Sequence, residues 1–504
     1  MRIRFTLVVA FSAWLVGATV EAQSLRVPWS GYAHDPQHND ISPMPAQPLN
    51  RILWQTSVDE NPQYSGSSLL IHYGSPLITR SNTVIVPVKT GASGGFLVRA
   101  LNGATGATNW TQTTDYRWPP HNWGPSFAPT LTPKNRVYIP GGGGTVYCRD
   151  TPDSASGATG QIAFYGLANY NANTNSYLNN VFINTPITSD RYGNIFFGFQ
   201  VTAAVPAALT SGVARIDVDG NGTWISATAA AADAGITKVV MNCAPALAND
   251  HKTLYVAVST ASFGSGYLVA LDSRTLAPLA KYRLKDAKTP ANDARLPDDG
   301  TASPTVAPDG DVYFGVLSNP NSNHSRGWLL HLNGALTQTN AAGGFGWDDT
   351  ASVVPASMVP SYTNGSPYLL MVKYNNYAGA GDGVNKIALL DPSNTMADPY
   401  SGGTTVMKEV LSIAGPTPDV DITNNFPNAV REWCINSAAV DPFTKSILVN
   451  NEDGKLYRWD LTSNTLIQPV TLTAGIGEAY TPTLIGVDGI VYAINNATLF
   501  AVGK

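Results

Sequence analysis

The sequence predicts an all-β fold: a single eight-bladed β-propeller of four-stranded antiparallel blades, its ring closed by an N-terminal strand that completes the last blade. Three observations predict it. A cassette recurs about every 40 to 60 residues, each copy carries several short apolar runs, and the final copy is one run short while an unpaired run precedes the first. Six of the cassettes open on a small residue and proline, Ser75-Pro76, Ala128-Pro129, Thr185-Pro186, Ala244-Pro245, Ser303-Pro304 and Thr481-Pro482; the other two openings are a blurred slot between Val353 and Pro360 and Ser437-Ala438. A β-branched or aromatic run follows, as in Val84-Ile85-Val86, Val137-Tyr138-Ile139 or Ile490-Val491-Tyr492. A third run ends at or near Asp or Asn, among them Asn102, Asp150, Asp217, Asp272, Asp391 and Asp460. An acceptor side chain there bonds the backbone of the turn that follows, which gives these carboxylates a structural part.

In chain order, residues 1–22 read as a secretory signal. Arg2 and Arg4 precede an apolar stretch from Phe5 to Val16, and Val20-Glu21-Ala22 offers small residues for cleavage. No Cys follows that point to carry a lipid, and no later stretch reaches the ~18 apolar residues of a membrane helix. The expectation is a secreted or periplasmic protein without a membrane span. Residues 23–50 form an extended arm, since Pro43, Pro45 and Pro48 interrupt any helical period. Residues 51–504 are the propeller, and Ile52-Leu53-Trp54-Gln55-Thr56 is the strand that closes it, leaving no exposed sheet edge to recruit other chains and predicting a monomer.

Composition agrees with this and excludes other classes. Charged residues are only 13%, against 46 Gly and 35 Pro, a turn-rich and strand-rich balance. A net charge of -5 with no Lys/Arg block gives no footprint for nucleic acid. Three cysteines, Cys148, Cys243 and Cys434, are too few for a disulfide scaffold and read as small apolar thiols.

One repeat is sharper than the rest: Ala100-Leu101-Asn102-Gly103-Ala104-Thr105-Gly106-Ala107-Thr108-Asn109-Trp110. It resembles the A-x-D-x-x-T-G-x-x-x-W docking motif of quinoprotein alcohol dehydrogenases and other pyrroloquinoline quinone repeat proteins, with Asn for Asp, and Ala270 to Leu276 looks like a worn copy. The segment Trp29 to Asp35 leading to Leu53-Trp54 is similar to the start of secreted members. The resemblance implies that Thr105-Gly106 makes a tight turn and that Trp110 packs between blades, with Ala100 in the same docking unit. Dehydrogenases of the family hold the quinone over the channel on a Trp, with Ca²⁺ and a catalytic Asp, and many carry adjacent cysteines. This chain has no adjacent Cys pair, and the family's catalytic residues find no numbered counterpart in it.

The residues just before each cassette opening should gather at the channel mouth, where propellers present a concave surface. They include His72-Tyr73, His121 and Trp123, Asn180, Asn242, Asp298-Asp299, Trp347-Asp348-Asp349, Arg431-Glu432-Trp433, and Glu478 with Tyr480. Aromatic faces beside carboxylates suit a polyol, a sugar or an organic cation. Tyr73, His121, Trp123, Asn242, Trp347, Asp349, Arg431, Trp433 and Tyr480 are the candidate ligand contacts, and Asp299, Asp348, Glu432 and Glu478 the candidate catalytic carboxylates. Carboxylates with Asn carbonyls also suit Ca²⁺. A second place for it is Asp217, Asp219 and Asn221, the first half of a calcium loop whose twelfth position is Thr228 in place of Glu; the same residues suit a hairpin turn. The seven histidines show no metal-binding spacing, no G-x-S-x-G elbow occurs, and the Gly-rich run Tyr377 to Gly383 reads as a surface loop. Two functions stay open: binding of a small polar molecule, glycan or protein partner at the mouth, or an enzyme, either a quinone- and Ca²⁺-dependent dehydrogenase or a carboxylate-driven carbohydrate enzyme.

Overall fold

The computed structural model describes residues 28–66, 68–121, 123–124, 127–320, 323–477 and 481–504. The signal-peptide reading, Glu478 and Tyr480 lie outside them. Eight antiparallel sheets follow one another around a ring, each running from an innermost to an outermost strand. Blade 1 comprises Leu77–Ile78, Thr83–Lys89, Phe96–Asn102 and Thr108–Thr114. The blurred cassette is blade 6, whose innermost strand is Ser352–Pro355 and whose second is Tyr368–Tyr374. Blade 8 has Thr483–Ile485, Val491–Asn495 and Thr498–Gly503 from the C-terminus, and Arg51–Ser57 joins as its outer strand. The register runs from Arg51 opposite Gly503 to Ser57 opposite Thr498, so the ring closes as the unpaired runs predict.

Burial follows position within the blade. The second strands Thr83–Lys89 and Tyr368–Tyr374 are buried at every residue, whereas outer strand Thr108–Thr114 buries only Trp110 fully. A second strand has a neighbouring blade on both faces and therefore reads as a continuous apolar run. Each Val or Leu so enclosed contributes roughly 1.5–3 kcal/mol relative to exposure. In blade 3 the innermost strand is split into Val181–Ile183 and Thr188–Ser189. Pro186 sits in the gap and has no N–H for the ladder; the neighbouring Gly198 N–H goes instead to Thr185 Oγ1 at 2.8 Å. Cys243 and Cys434 are buried, and burial pushes the Cys243 thiol up to about 12. Among the described residues no helix is long and apolar enough to cross a membrane.

The arm does more than lead into the ring. It runs beneath the channel and adds its backbone to one innermost strand after another. Trp29 and Ile78 exchange two bonds of 3.0 Å, and the carbonyls of Ser30, Pro36, Gln37, Asn39 and Asp40 accept from Leu131, Leu247, Val306, Val353 and Val440. Gln47 N–H then reaches Gly489 O at 2.8 Å in the first hairpin of blade 8. Tyr32 rises into the channel, its hydroxyl 3.1 Å from Thr301 O, 3.2 Å from Asn436 O and 2.8 Å from Thr350 Oγ1. The base of the channel is therefore plugged, and the opposite end, where the innermost strands begin, is the end that faces the candidate residues.

Candidate functional site at the channel mouth

Two groups of side chains meet at that end. In the first, segment 68–73 folds over the mouth, with Leu69 N–H on Gly477 O and Gly124 N–H on Leu70 O, both 2.8 Å. It carries His72 across the ring from blade 1 to blade 5, where Nε2 lies 2.7 Å from Asp299 O; Nδ1 lies 2.9 Å from Gly124 O. Two carbonyls favour a charged ring, but burial wins and pushes the imidazole down to about 4, leaving it neutral near pH 7. Asn242 joins the group, its amide 3.1 Å from Asp298 O and 3.4 Å from His72 Nδ1. His121 Nδ1 accepts the Trp123 N–H at 3.1 Å, which leaves Nε2 to face Asp299 Oδ1 at 3.3 Å. Burial raises the Asp299 carboxyl. Trp123 stands 5.6 Å from the His72 ring.

The second group lies on blades 6 and 7. Asp348 Oδ2 accepts from Lys373 Nζ at 2.8 Å and from Tyr377 OH at 2.7 Å. Asp349 Oδ2 accepts the Lys373 backbone N–H at 2.8 Å. Lys373 and Asp349 are each 1% exposed. Burial opposes charge on Lys373, but Asp348 alongside outweighs it and the ammonium is raised. Burial, and then the charge of Asp348, pushes Asp349 up to about 8. Glu432 and Glu452 are held together by paired backbone contacts, Glu432 N–H to Glu452 Oε2 at 3.3 Å and Glu452 N–H to Glu432 O at 3.0 Å. Burial raises both carboxyls, and Glu452 raises Glu432 further. Among the described residues, Oδ1 of Asp348, Oδ1 of Asp349 and both ends of the Asn375 amide are buried without a hydrogen-bond partner. Polar atoms in that condition are what a bound molecule or water satisfies.

Several expected residues turn elsewhere. Tyr73 is buried and its hydroxyl lies 3.3 Å from Asp59 Oδ2, itself paired with Lys89 at 2.7 Å. Arg431 holds Asp419 at 3.1 Å and Asp421 at 3.0 Å. Trp433 is 0% exposed in the core between blades 6 and 7, 6.0 Å from the Tyr457 ring. Trp347 stays half-buried at the mouth, its indole nitrogen without a partner among the described residues. Lys373, Tyr377, Glu452 and Asn375 were not among the expected residues. Lys373 alone left a signal, a cation inside the apolar run Leu369 to Tyr374. Tyr377 also corrects the surface-loop reading of its Gly-rich run, because it returns to Asp348.

The calcium-loop residues form a hairpin turn between Gly212–Ile216 and Gly222–Ser226. Asp217 accepts from Asp219 N at 3.0 Å, Asn221 N at 2.8 Å and Asn221 Nδ2 at 3.1 Å, so Asp217, Asp219 and Asn221 do not converge on an ion. Among the described residues no three His, Cys, Asp or Glu side chains come together as metal ligands. The mouth is spanned by His72, and its first-group carboxylate Asp298 is paired with Lys238. The described residues therefore do not fit a calcium-held quinone above the channel.

The docking repeat is structural. Thr105 and Gly106 close a turn on Asn102, Gly106 taking a φ of 71°. Trp54 of the closing strand lies on this turn, its indole N–H donating to Gly103 O at 2.8 Å. Ala100 pairs with Trp110 across the blade. Trp110 Nε1 donates to Pro152 O at 2.7 Å while the Arg149 guanidinium stacks 4.0 Å above the ring, which joins blade 1 to blade 2.

No protein family and no curated protein matches the chain by sequence. Solved structures do match in shape. A europium-containing methanol dehydrogenase superposes with a TM-score of 0.57 at 11% identity, covering 93% of this chain and 89% of its own. The quinohemoprotein alcohol dehydrogenase from Comamonas testosteroni gives 0.53 at 12%, covering 95% and 81%. Sqt1 from Saccharomyces cerevisiae gives 0.51 at 11%, covering 92% and 100%. At these identities the likeness is one of fold: the chain is an eight-bladed β-propeller whose structural neighbours include quinoprotein alcohol dehydrogenases.

Proposed function

We propose that this is an exported propeller that binds a small polar molecule at the blade 6–7 side of the channel mouth. The observation that carries the reading is a pair of buried carboxylate oxygens, Asp348 Oδ1 and Asp349 Oδ1, that have no hydrogen-bond partner among the described residues. Lys373 is paired with Asp348, while burial raises the carboxyls of Asp349 and Glu432 toward their neutral forms. A ligand bringing hydroxyl or ammonium donors meets the unpartnered oxygens, and the half-buried Trp347 offers it an apolar face. The plugged base leaves the mouth as the approach. Export is supported by the leader at residues 1–22.

The test is equilibrium binding of a panel of polyols, monosaccharides and quaternary amines to the parent, Asp349→Asn and Glu432→Gln. The expected outcome is one class bound by the parent and weakened about tenfold or more in Asp349→Asn, a loss of roughly 1.4 kcal/mol. Equal binding by all three folded proteins would sink the reading.

A further inference from the structure

We propose that the outer flank between blades 2 and 3 is a second binding site, a groove for neutral oligosaccharides. It measures about 820 Å³ and is bounded by the edge strand Thr159–Ala163 with its continuation to Asn169, by the turn Asp219 to Gly222, and by Trp224. That volume falls within the range of small-molecule sites. Gly222 makes the close approach of the two blades possible, because a Cβ there would overlap the Phe164 carbonyl.

The walls are polar and nearly uncharged. Gln161 gives one amide N–H to Thr145 Oγ1 at 3.0 Å, Asn169 gives one to Tyr165 O at 2.7 Å, and Asn221 gives one to Asp217 Oδ2 at 3.1 Å. Each of the three amides keeps its oxygen and a second N–H to offer. Asp217 takes the N–H groups of the turn, so Asp219 is exposed and, among the described residues, its carboxylate has no hydrogen-bond or ion-pair partner. No Lys or Arg lines the groove among the described residues. Trp224 is half-buried, and its indole N–H likewise makes no hydrogen bond among them.

Open acceptors beside amide and indole N–H groups select a neutral ligand that both donates and accepts, and an indole selects one with an apolar face. A pyranose ring meets both demands at once, since its hydroxyls donate around the edge while its C–H face stacks on the indole. An anion is disfavoured by Asp219, and one carboxylate is a weak lure for a polycation. The groove opens to solvent, so a ligand longer than one ring can extend from it.

The test is titration calorimetry of the full mature chain with cellotriose, maltotriose, chitotriose and spermine. We expect at least one trisaccharide to bind with a Kd near about 1 mM, and spermine not to bind. Trp224→Ala should weaken that trisaccharide by more than about tenfold, and Trp224→Phe by about threefold. Asp219→Ala with Asn221→Ala, both at exposed positions, tests the acceptors without endangering the fold and should weaken it by about threefold or more. Asp349→Asn at the mouth should leave it unchanged, which separates this site from the mouth reading. No trisaccharide bound at about 10 mM, binding that survives both Trp224→Ala and the acceptor double variant, or a preference for spermine overturns the proposal.

Discussion

At the scale of single residues, Gly106 and Asp349 show two ways in which this fold holds unfavourable local states. Gly106 takes a left-handed φ, and a Cβ on it would stand 2.8 Å from the Trp54 ring. Gly106→Ala should therefore combine backbone strain with overpacking and lose about 2–4 kcal/mol in denaturant unfolding. The worn copy puts Leu276 at the matching place with a φ of 59°, so that turn already carries strain that the Leu side chain offsets by burial. Trp110→Ala opens the blade 1–2 contact and should lose about 3–5 kcal/mol.

Asp349 makes a prediction in pH. Its folded carboxyl titrates at about 8, above the ordinary value of 3.8, so between those points the folded state holds a proton that the unfolded chain has released. Stability from this group is complete below pH 4 and declines as pH rises toward 8. The raised carboxyls of Glu432 and Glu452 add in the same direction. Melting temperature should fall by a few degrees between about pH 5.5 and 8.5, and Asp349→Asn should flatten that slope. A slope unchanged in the variant would show that the pH dependence arises elsewhere.

At the scale of elements, strand Arg51–Ser57 and the arm before it do separate jobs. The strand completes blade 8 and lays Trp54 on the turn of blade 1, while the arm joins the bases of the innermost strands. Removing residues 28–58 should lower the melting temperature by more than about 10 °C and expose the inner strands to proteolysis; an unchanged melting curve contradicts this assignment. Tyr32→Ala tests the plug alone and should cost about 3–5 kcal/mol. The blades were legible because most repeat proline at the opening, with an apolar strand-forming run behind it, both tied to strand geometry. The arm's route was not, since it is held mainly by backbone bonds, which carry no side-chain pattern.

At the scale of the whole molecule, the same distinction explains how much of the mouth could be read. Residues on the loops before the innermost strands were found by their place in the repeat, and His121, Asn242, Asp299, Asp348 and Asp349 do gather there. Lys373 and Glu452 come from the strand-side elements behind, a position the repeat marks as core, and Tyr377 comes from a loop of unpredictable path. Tyr73 and Trp433 share the right place in sequence but turn into apolar or ion-paired surroundings, a matter of side-chain direction that spacing does not encode.

The arm under the channel also sets an order of assembly. Synthesised ahead of every blade, residues 28–50 have most of their partners in strands that follow by 100 to 460 positions, from Leu131 to Gly489. Loops of that span close slowly, so the ring should pass through a long-lived open arc before the arm locks it, and dilution from denaturant should give a slow final phase that Tyr32→Ala shortens or removes. Once locked, blades 1, 2 and 4 to 8 are each bonded to the arm, which makes resistance to unfolding a property of rate as much as of equilibrium.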